Sequence, residues 1–438
     1  MVRLGECYVL RVPDVLPNAT AEKTTMVRPG YSERFACIGP ACEDTCCVGW
    51  SVHFDQASWE KYQTMPAGPL RSLIESSVER LPQDAPGRPP EAFARVKMDP
   101  EKACPILNEQ KLCQIQVEHG EEFLSRTCAI YPRIVHKIDG VEEKALSLSC
   151  PEAARLVLLT PNLLAAHTDG GEQMPWPEEA PGLAGARVPL LGYFWPIREF
   201  VLWLLANRGY PLWQRLFLLG IFVRRLDALA RGEVNRTFGE LLGDFKAAVD
   251  VGSLRASMET IQPDLPLQLE MVLRLASLQL PRSFVGERFQ QVARAFAAGV
   301  GNGPGATMAS LAERYAGAHE RFYAPFFAVR PHILENLLIN AVFRMLFPFG
   351  HAAGKLHAEP DMAREFALLA TQFALIKGLL IGVAGFCGGG FTEEQVVFTV
   401  QAASKHFEHH PQFLEEAHAV LVSCELDNVR GLTMLVRN

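Results

Sequence analysis

Clustered cysteines are the feature that most limits how this chain can fold. Eight thiols fall in four short stretches: "CIGPACEDTCCVGW" (37–50), "CPILNEQKLC" (104–113), "TCAIYPR" (127–133) and "SLSCPEAA" (147–154). So many cysteines in a region rich in Pro and Gly predict a segment organised by metal or by disulfides. The candidate metal ligands are Cys37, Cys42, Cys46, Cys47, Cys104, Cys113, Cys128 and Cys150.

The N-terminal sequence indicates whether metal binding or disulfide formation is favoured for these thiols. The stretch "MVRLGECYVLRVPDVLPNA" is not a convincing signal peptide, since Glu6, Arg11, Pro13 and Asp14 interrupt its apolar residues. We therefore expect a cytoplasmic protein, in a reducing compartment where disulfides are disfavoured. Clustered cysteines in that setting usually bind metal or carry out redox chemistry.

Cysteine spacing alone leaves the kind of metal open. Structural zinc is one alternative, although its ligands usually come as C-x2-C pairs and this sequence has none. An iron–sulfur cluster or iron is favoured, because Cys104 and Cys150 are each followed by proline, a pattern frequent at cluster ligands. Cys46 and Cys47 are adjacent and cannot face one metal in the same way, so we expect one to bind and the other to pack. Disulfides and ordinary buried thiols are the remaining alternatives.

The rest of the chain predicts a second, helical region. Residues 1–165 are loop-rich, and residues 166–189, rich in Pro, Gly and acidic residues, indicate a linker or surface loop. Over 190–438 apolar residues recur at helical spacing. We therefore predict a mainly α fold, in which a loop-rich cysteine and metal-binding region packs on an α-helical domain.

Charge and hydropathy argue against two classes of partner. The formal net charge is −7 and no basic run is present, so we expect no nucleic acid. The apolar stretch "FALLATQFALIKGLLIGVAGFCGGGF" (366–391) is long, but Thr371, Gln372 and Lys377 interrupt it. We predict a buried helix there and no membrane span. The sequence does not predict an oligomeric state.

Several stretches are similar to one known family. In the cysteine-rich region they are "YSERFACIGPACEDTCCVGWSVHFDQASWEKY" (31–62), "CPILNEQKLCQIQVEHGEEFLSRTCAIYPR" (104–133) and "LSCPEAARL" (148–156). The helical half adds "IREFVLWLLANRGYPLWQRLFLLGIF", "LENLLINAVFRMLFPFG" and "QAASKHFEHHPQFL". On these residues the chain resembles the flagellin lysine-N-methylase family, from about residue 26 to residue 415.

The resemblance implies a function. It implies methyl transfer from S-adenosylmethionine to lysine side chains of flagellin, which would be the protein partner, and a [4Fe–4S] cluster as cofactor. The sequence has no Rossmann-type glycine motif, so any S-adenosylmethionine site must be built in another way. The alternative is a non-enzymatic zinc- or iron-binding protein whose helical domain binds a partner.

A polar stripe on an apolar helix is the first candidate site in the helical half. In "HILENLLINAVFRMLFPF" (332–349), Asn336, Asn340 and Arg344 recur every fourth residue, and Glu335 lies beside them. This helix is apolar almost all round, so we expect it to be buried, with its amides in need of partners. A structural hydrogen-bond network and a cofactor-binding pocket are both open interpretations, and Glu335 can hold a cationic group in the second.

The stretch "QAASKHFEHH" (401–410) is the second candidate. Its Gln401, Lys405 and Glu408 or His409 share a helical face. Methylation requires a neutral amine, whereas a free lysine has a pKa near ~10.4, so a site must desolvate the ammonium or offer a base. We name Glu335, His406 and Glu408 as catalytic candidates, with a solvated helix end as the alternative.

Two residues next to a cysteine complete the candidates. Tyr131 and Arg133 lie in "TCAIYPR", directly after Cys128. A guanidinium pairs well with a carboxylate, so we assign both residues to cofactor binding. A structural salt bridge of Arg133 is an equally open interpretation.

Overall fold

Helices dominate the computed structural model of this chain, which describes residues 30–48, 52–82, 84, 92–99, 103–139, 141–164, 190–278, 286–350, 361–409 and 412–438. Within these ranges the strands are short and all lie before residue 147. The predicted mainly α fold with a loop-rich N-terminal region is therefore confirmed. The predicted linker at 166–189 lies outside the described residues, and so does Cys7.

The cysteine-rich region combines short helices with two small sheets. One sheet is antiparallel with strand order β1-β3-β2, and the other is the hairpin β4–β5, in which Arg133 pairs with Leu146. The strands are β1 His53–Phe54, β2 Val78–Arg80, β3 Ala94–Val96, β4 Arg133–Ile138 and β5 Val141–Leu146. The helices are α1 Gln56–Gln63, α2 Pro69–Ser77, α3 Gln114–His119, α4 Arg126–Ile130 and α5 Pro151–Leu159.

The second half of the described chain is helical throughout. Capping boxes begin α8 at Thr237 and α12 at Thr307, where each hydroxyl accepts from the third main-chain N–H of its helix. The helices are α6 Phe194–Ala206, α7 Leu212–Ala230, α8 Phe238–Val251, α9 Arg255–Glu259, α10 Leu265–Ser277, α11 Glu287–Gly299, α12 Met308–Ala318, α13 Ala324–Ala328, α14 His332–Arg344, α15 Met362–Cys387, α16 Glu393–Phe407, α17 Phe413–Ser423 and α18 Val429–Val436.

The molecule has two separate hydrophobic cores. The small core is formed by side chains from the segment 52–129 and includes Phe54, Tyr62 and Ile115. The large core fills the helical half and also takes in the β4–β5 hairpin and α5. The hairpin and α5 therefore belong, by packing, with the helices that follow them.

Helix α15 lies at the centre of the large core. It packs against α7, α10, α11 and α12, and also against α14, α16, α17 and α18. Its crossing with α11 is close because glycines meet there: a Cβ at Gly299 would lie 1.8 Å from the carbonyl oxygen of Gly382. By length and composition α15 could cross a membrane, and 94% of its most apolar window is buried inside the molecule. This is the buried helix that the sequence predicted.

Helix α3 forms in a stretch whose pattern favours a strand. Apolar residues alternate with polar ones in "KLCQIQV" (111–117), but α3 begins at Gln114, directly after Cys113. The helix buries Ile115 in the small core and leaves the side chain of Val117 exposed. One buried contact and the position of Cys113 at the helix start therefore outweigh the alternating pattern.

Candidate functional site

Four of the predicted metal ligands surround a single cavity in the small core. We call Cys47, Cys104, Cys113 and Cys128 the cavity cysteines. Their cavity has a volume of about 20 Å³, and its remaining lining is formed by Val52, Phe54, Tyr62, Val96, Ile106, Ile115, Leu124 and Ser125. Four thiols from distant parts of the sequence therefore share one small, mostly apolar cavity.

Burial controls the protonation of the cavity thiols. Desolvation raises the pKa of Cys104 to about 11 and that of Cys128 to about 12, and it also raises the pKa of Cys113. Main-chain N–H groups oppose this shift, from Ile106 at Cys104 and from Ile115 and Gln116 at Cys113. The thiols of Cys104, Cys113 and Cys128 are therefore neutral at pH 7, and a bound metal would displace their protons.

The other four candidates form a second set, of which Cys150 is buried at the edge of the large core. We call Cys37, Cys42, Cys46 and Cys150 the outer cysteines. Cys37 and Cys46 are exposed, and burial raises the pKa of Cys150 to about 12, with Cys42 and Cys46 adding smaller repulsions. Gly39 N–H donates to the Sγ of Cys37 at 3.4 Å, and two main-chain N–H groups at the start of α5 donate to Cys150.

The adjacent pair Cys46 and Cys47 separates the two sets. Cys47 lines the cavity, whereas Cys46 does not, although its thiol is hydrogen-bonded to Cys47 and lies near members of both sets. Across the described ranges, no three Cys, His, Asp or Glu side chains stand close enough to hold a metal ion as they are. Binding therefore requires rotation of thiol side chains about their Cα–Cβ bonds.

The loop that carries the outer cysteines is fastened to helix α16. Asp44, between Cys42 and Cys46, accepts hydrogen bonds from the Nε2 of Gln401 and the Nζ of Lys405, each at 2.7 Å. Lys405 also donates to the carbonyl oxygen of Thr45 at 3.1 Å. Gln401 and Lys405 are the polar face that the helical spacing predicted.

A group of hydroxyls lies beside Cys150. The Oγ of Ser149 is 2.9 Å from the hydroxyl of Tyr131, 3.0 Å from the Nε2 of His409 and 2.6 Å from the Oγ of Ser147. Gln401 donates to the carbonyl oxygen of Ser149 at 2.8 Å. Desolvation holds the pKa of Tyr131 well above its usual value, so its phenol is neutral. The structure therefore places Tyr131 close to Cys150, and it places His409 there as well.

These hydroxyls lead to a pocket in the helical half. Ser147 donates to the Oε2 of Glu408 at 3.5 Å, and the Oε1 of Glu408 lies 3.5 Å from a nitrogen of Arg344. Arg344 donates to the Oε1 of Gln372 at 2.8 Å. We call this cavity of about 20 Å³ the Glu408 pocket; it is lined by Leu148, Leu337, Leu338, Asn340, Ala341, Arg344, Leu369, Gln372, Phe373, Ile376 and Glu408.

The two asparagines of the predicted stripe are buried and bonded to main chain. The Nδ2 of Asn336 donates to the carbonyl oxygens of Val157 and Thr160 at the end of α5, at 2.9 and 2.7 Å. Asn340 donates to the carbonyl oxygen of Leu146 and accepts from its N–H and from the hydroxyl of Tyr31. Asn340 borders the Glu408 pocket and Asn336 does not. The structural network is therefore present, and these amides are occupied by the protein itself.

The remaining candidates lie elsewhere. Both carboxylate oxygens of Glu335 are taken by arginines, Arg208 at 2.9 Å and Arg215 at 2.7 Å. His406 is buried and stacks on Phe289 with ring centroids 4.1 Å apart. The structure therefore does not bring Glu335 or His406 to the Glu408 pocket.

Arg133 packs against the start of the described chain. Its guanidinium lies over the ring of Phe35, 5.1 Å from the centroid, and donates to the carbonyl oxygen of Phe35 at 3.2 Å. This is a structural contact, and not the carboxylate pairing that the sequence left open.

Sequence reasoning missed several residues of this site. Asp44, Ser147, Ser149 and Arg288 were not singled out, yet Arg288 donates to the Oε1 of Gln401 at 2.7 Å and so holds the amide that binds Asp44. Asp44 sits inside the cysteine loop, which was the signal available for it. Gln372 was recognisable in the sequence as a polar residue within the otherwise apolar helix α15.

Comparison with known proteins places the helical half in a family. Residues 198–435, more than half of the chain, match the family model described as the FliB lysine N-methylase C-terminal domain. A lysine-N-methylase of Salmonella typhimurium is 27% identical over 261 residues, 58% of this chain and 61% of the relative. A lysine-N-methylase of Salmonella choleraesuis is 26% identical over the same length.

A third relative is shorter. The flagellar biosynthetic protein FliU of Salmonella muenchen is 29% identical over 145 residues, 33% of this chain and 83% of the relative. The chain thus spans 61% of the length of the two lysine-N-methylases. No solved structure gives a significant match. On the extent of the family match, the chain belongs to the FliB lysine N-methylase family.

Proposed function

We propose that this protein transfers methyl groups from S-adenosylmethionine to lysine side chains of flagellin in the cytoplasm. One observation carries the proposal: the segment matched by the family, 198–435, contains α14, α15 and Glu408, which together form most of the Glu408 pocket. The names of the relatives, lysine-N-methylase and flagellar biosynthetic protein FliU, support the reaction and the substrate.

Glu408 is the residue best placed to act on a lysine amine. Its carboxylate borders a largely apolar pocket that also contains Arg344, and this pocket of about 20 Å³ would have to open before a lysine side chain could reach the carboxylate. Desolvation favours the neutral amine, and a carboxylate within hydrogen-bond reach can take its proton. Arg344 and Ser147 hold that carboxylate in place.

The methyl donor fits neither of the two cavities described above. Each has a volume of about 20 Å³, which is about the space of one or two water molecules. We therefore assign no residue to S-adenosylmethionine, whose sulfonium group supplies an electrophilic methyl group when bound. The cofactor-binding interpretation of Asn336 and Asn340 has little support, since both amides bond to main chain.

The outer cysteines are the better holders of the proposed [4Fe–4S] cluster. They lie where the cysteine loop meets α16, and main-chain N–H groups are directed at the sulfurs of Cys37 and Cys150, as cluster thiolates require. When bound, the cluster would supply a site for electron transfer and a cross-link between the cysteine loop and the start of α5. Asp44 and Gln401 hold the loop in position on the helix.

The test is methylation of flagellin by the purified protein. Flagellin is incubated with the full chain and S-adenosylmethionine, and its tryptic peptides are weighed by mass spectrometry. We expect lysine peptides heavier by one or more methyl groups, which disappear when S-adenosylmethionine is omitted. Unmodified flagellin that still binds the protein would instead favour the non-enzymatic, partner-binding alternative.

A further inference from the structure

The division of the cysteines into two sets carries an inference beyond the proposed function. A single cluster needs four thiolates, yet four other thiols surround a small cavity of their own. They reach it from different elements: Cys47 from the first cysteine loop, Cys104 from an extended segment, Cys113 from the start of α3 and Cys128 from α4. Such convergence of polarisable sulfurs in a small core is what a metal-organised fold requires.

Donor groups around the cavity suit thiolates better than thiols. Main-chain N–H groups point at the sulfurs of Cys104 and Cys113, and the Ser125 side chain bonds Cys128. A protonated thiol is a weak acceptor, whereas a metal-bound thiolate accepts such bonds well. The N–H groups therefore offset negative charge that these sulfurs carry only with a metal bound.

Tyr62 provides an independent observation. Its side chain is 1% exposed and lines the cavity, and its hydroxyl has no hydrogen-bond partner among the described residues. An orphaned buried hydroxyl costs roughly as much as a lost hydrogen bond, so its presence requires an explanation. Its nearest ionisable neighbours include Cys128, Cys113 and Cys104. A thiolate at any of these positions would accept a hydrogen bond from the phenol hydroxyl.

We propose that Cys47, Cys104, Cys113 and Cys128 form a closed structural site for one zinc ion, separate from any metal of the outer cysteines. A cavity of about 20 Å³ has room for a single ion and not for the eight atoms of a [4Fe–4S] cube. Four thiolates in tetrahedral geometry, with no open position, are the usual structural zinc site.

Charge balance follows from this stoichiometry. Each thiol that binds Zn²⁺ as a thiolate gives up its proton to solvent, and no electrons are transferred. The site then carries two negative charges, which the N–H donors at Cys104 and Cys113 and the hydroxyl of Tyr62 disperse. This small region has few apolar core residues, and the bound ion would supply stabilisation that a larger apolar core would otherwise provide.

Metal analysis of the full chain tests the proposal. The wild-type protein, Cys113→Ser and the matched outer variant Cys42→Ser are purified, and zinc and iron per chain are measured by mass spectrometry. We expect about one zinc in the wild type, retained in Cys42→Ser and lost in Cys113→Ser. Zinc absent from the wild type, or lost equally from both variants, would overturn the proposal. So would iron in place of zinc at the cavity cysteines.

A second measurement guards against misfolding of Cys113→Ser. The wild-type protein, stripped of zinc and refilled with Co²⁺, should show the visible absorption of tetrahedral cobalt bound by thiolates. Tyr62→Phe keeps the aromatic ring and should release zinc to a chelator about tenfold more readily. A cobalt spectrum without thiolate bands would contradict the site. None of these readouts depends on methylation, so they remain decisive if the proposed reaction fails.

Discussion

The carboxylate of Asp44 and the ammonium of Lys405 lie 2.7 Å apart although 361 residues separate them in sequence. Both side chains are largely buried, with 17% and 20% of their surface exposed. The pair joins the loop of the outer cysteines to α16, and Gln401 reinforces it from the same helix. The two halves of the chain therefore meet at the candidate site through a charged contact.

Asp44→Asn should weaken this junction. The change removes the negative charge opposite Lys405 and leaves a largely buried ammonium without a counter-charge. We therefore expect a loss of about 1–2 kcal/mol in the free energy of unfolding. Urea unfolding followed by circular dichroism measures the loss. The control is Glu75→Gln in the exposed pair Arg71–Glu75, which should cost less than about 0.5 kcal/mol. Equal effects of the two changes would show that the contact contributes no more than a surface pair.

Glu143→Gln should be among the most destabilising single changes. Glu143 and Arg198 are 1% and 2% exposed, and Arg198 also donates to the carbonyl oxygens of Val342 and Phe347. Loss of the carboxylate leaves a buried guanidinium charge uncompensated, at a cost of about 3–5 kcal/mol. The expected result is a large fall in the midpoint of urea unfolding.

The control for Glu143→Gln is Glu79→Gln. Glu79 bonds Arg95 across the small sheet, and both side chains are exposed. This change should lower stability by about 1 kcal/mol or less. The importance of burial for the Glu143 pair would be refuted if both variants unfolded at the same urea concentration.

Lys377 should make stability increase with pH. This lysine is 3% exposed in the middle of α15, and its Nζ donates to the carbonyl oxygen of Val436 at 2.8 Å. Burial lowers its pKa from 10.5 to about 7. Between these values the unfolded chain binds more protons at this site than the folded chain, so unfolding becomes harder as pH rises from 7.

Lys377→Met isolates this contribution. It should stabilise the protein below pH 7, where the wild type carries a buried charge, and the advantage should shrink towards pH 10. Urea unfolding of both proteins at several pH values gives the difference curve. The same comparison with Lys246→Met, which alters a partly exposed lysine paired with Asp250 on α8, is the control. A flat curve for Lys377→Met would show that the buried amine does not titrate.

Glu408→Gln and Asn336→Ala should affect methylation for different reasons. If Glu408 takes the lysine proton, its amide variant should lower the rate of flagellin methylation at least about tenfold. Loss of the charge opposite Arg344 should cost no more than about 1–2 kcal/mol of stability, so the variant stays folded in the assay. Asn336→Ala instead leaves carbonyl oxygens at the end of α5 without their donor and should cost about 1–3 kcal/mol of stability.

Exposed Glu415 supplies the control for both variants. It pairs with Arg364 outside the pocket, and Glu415→Gln should change neither the methylation rate nor the stability measurably. A normal methylation rate in Glu408→Gln would remove Glu408 from the reaction. An unchanged stability in Asn336→Ala would show that its hydrogen bonds are replaced by water.

Local patterns in the sequence predicted helices and buried stripes, but not what lies opposite them. The spacing of Asn336, Asn340 and Arg344 placed them on one face of α14, as observed. Their partners come from α5, β5 and α15, which no local pattern specifies. Whether such a stripe forms a network or a pocket depends on tertiary packing.

The cysteines show the same limit. Their local density predicted a metal-organised region, and adjacency required that Cys46 and Cys47 differ in direction. The assignment of Cys47 to the cavity and Cys150 to the outer set depends on how α4, the hairpin and α5 pack. The single constellation expected from the sequence is thus two groups of thiols in the structure. Likewise "PLRSLIESSVERL" (69–81) has a helical pattern of apolar residues along its whole length, but α2 ends at Ser77 and β2 follows, because Val78 pairs with Val96.

The buried pair of Arg198 and Glu143 also constrains how this chain can be recombined. The segment matched by the family begins at Arg198, while its counter-charge lies on β5, before that segment. A gene fusion that moved residues 198–435 alone into another protein would carry an arginine whose charge has no compensation in its new host. The helical domain therefore has to be transferred together with the β4–β5 hairpin and α5. The start of the family match, at Arg198, falls inside this larger structural unit.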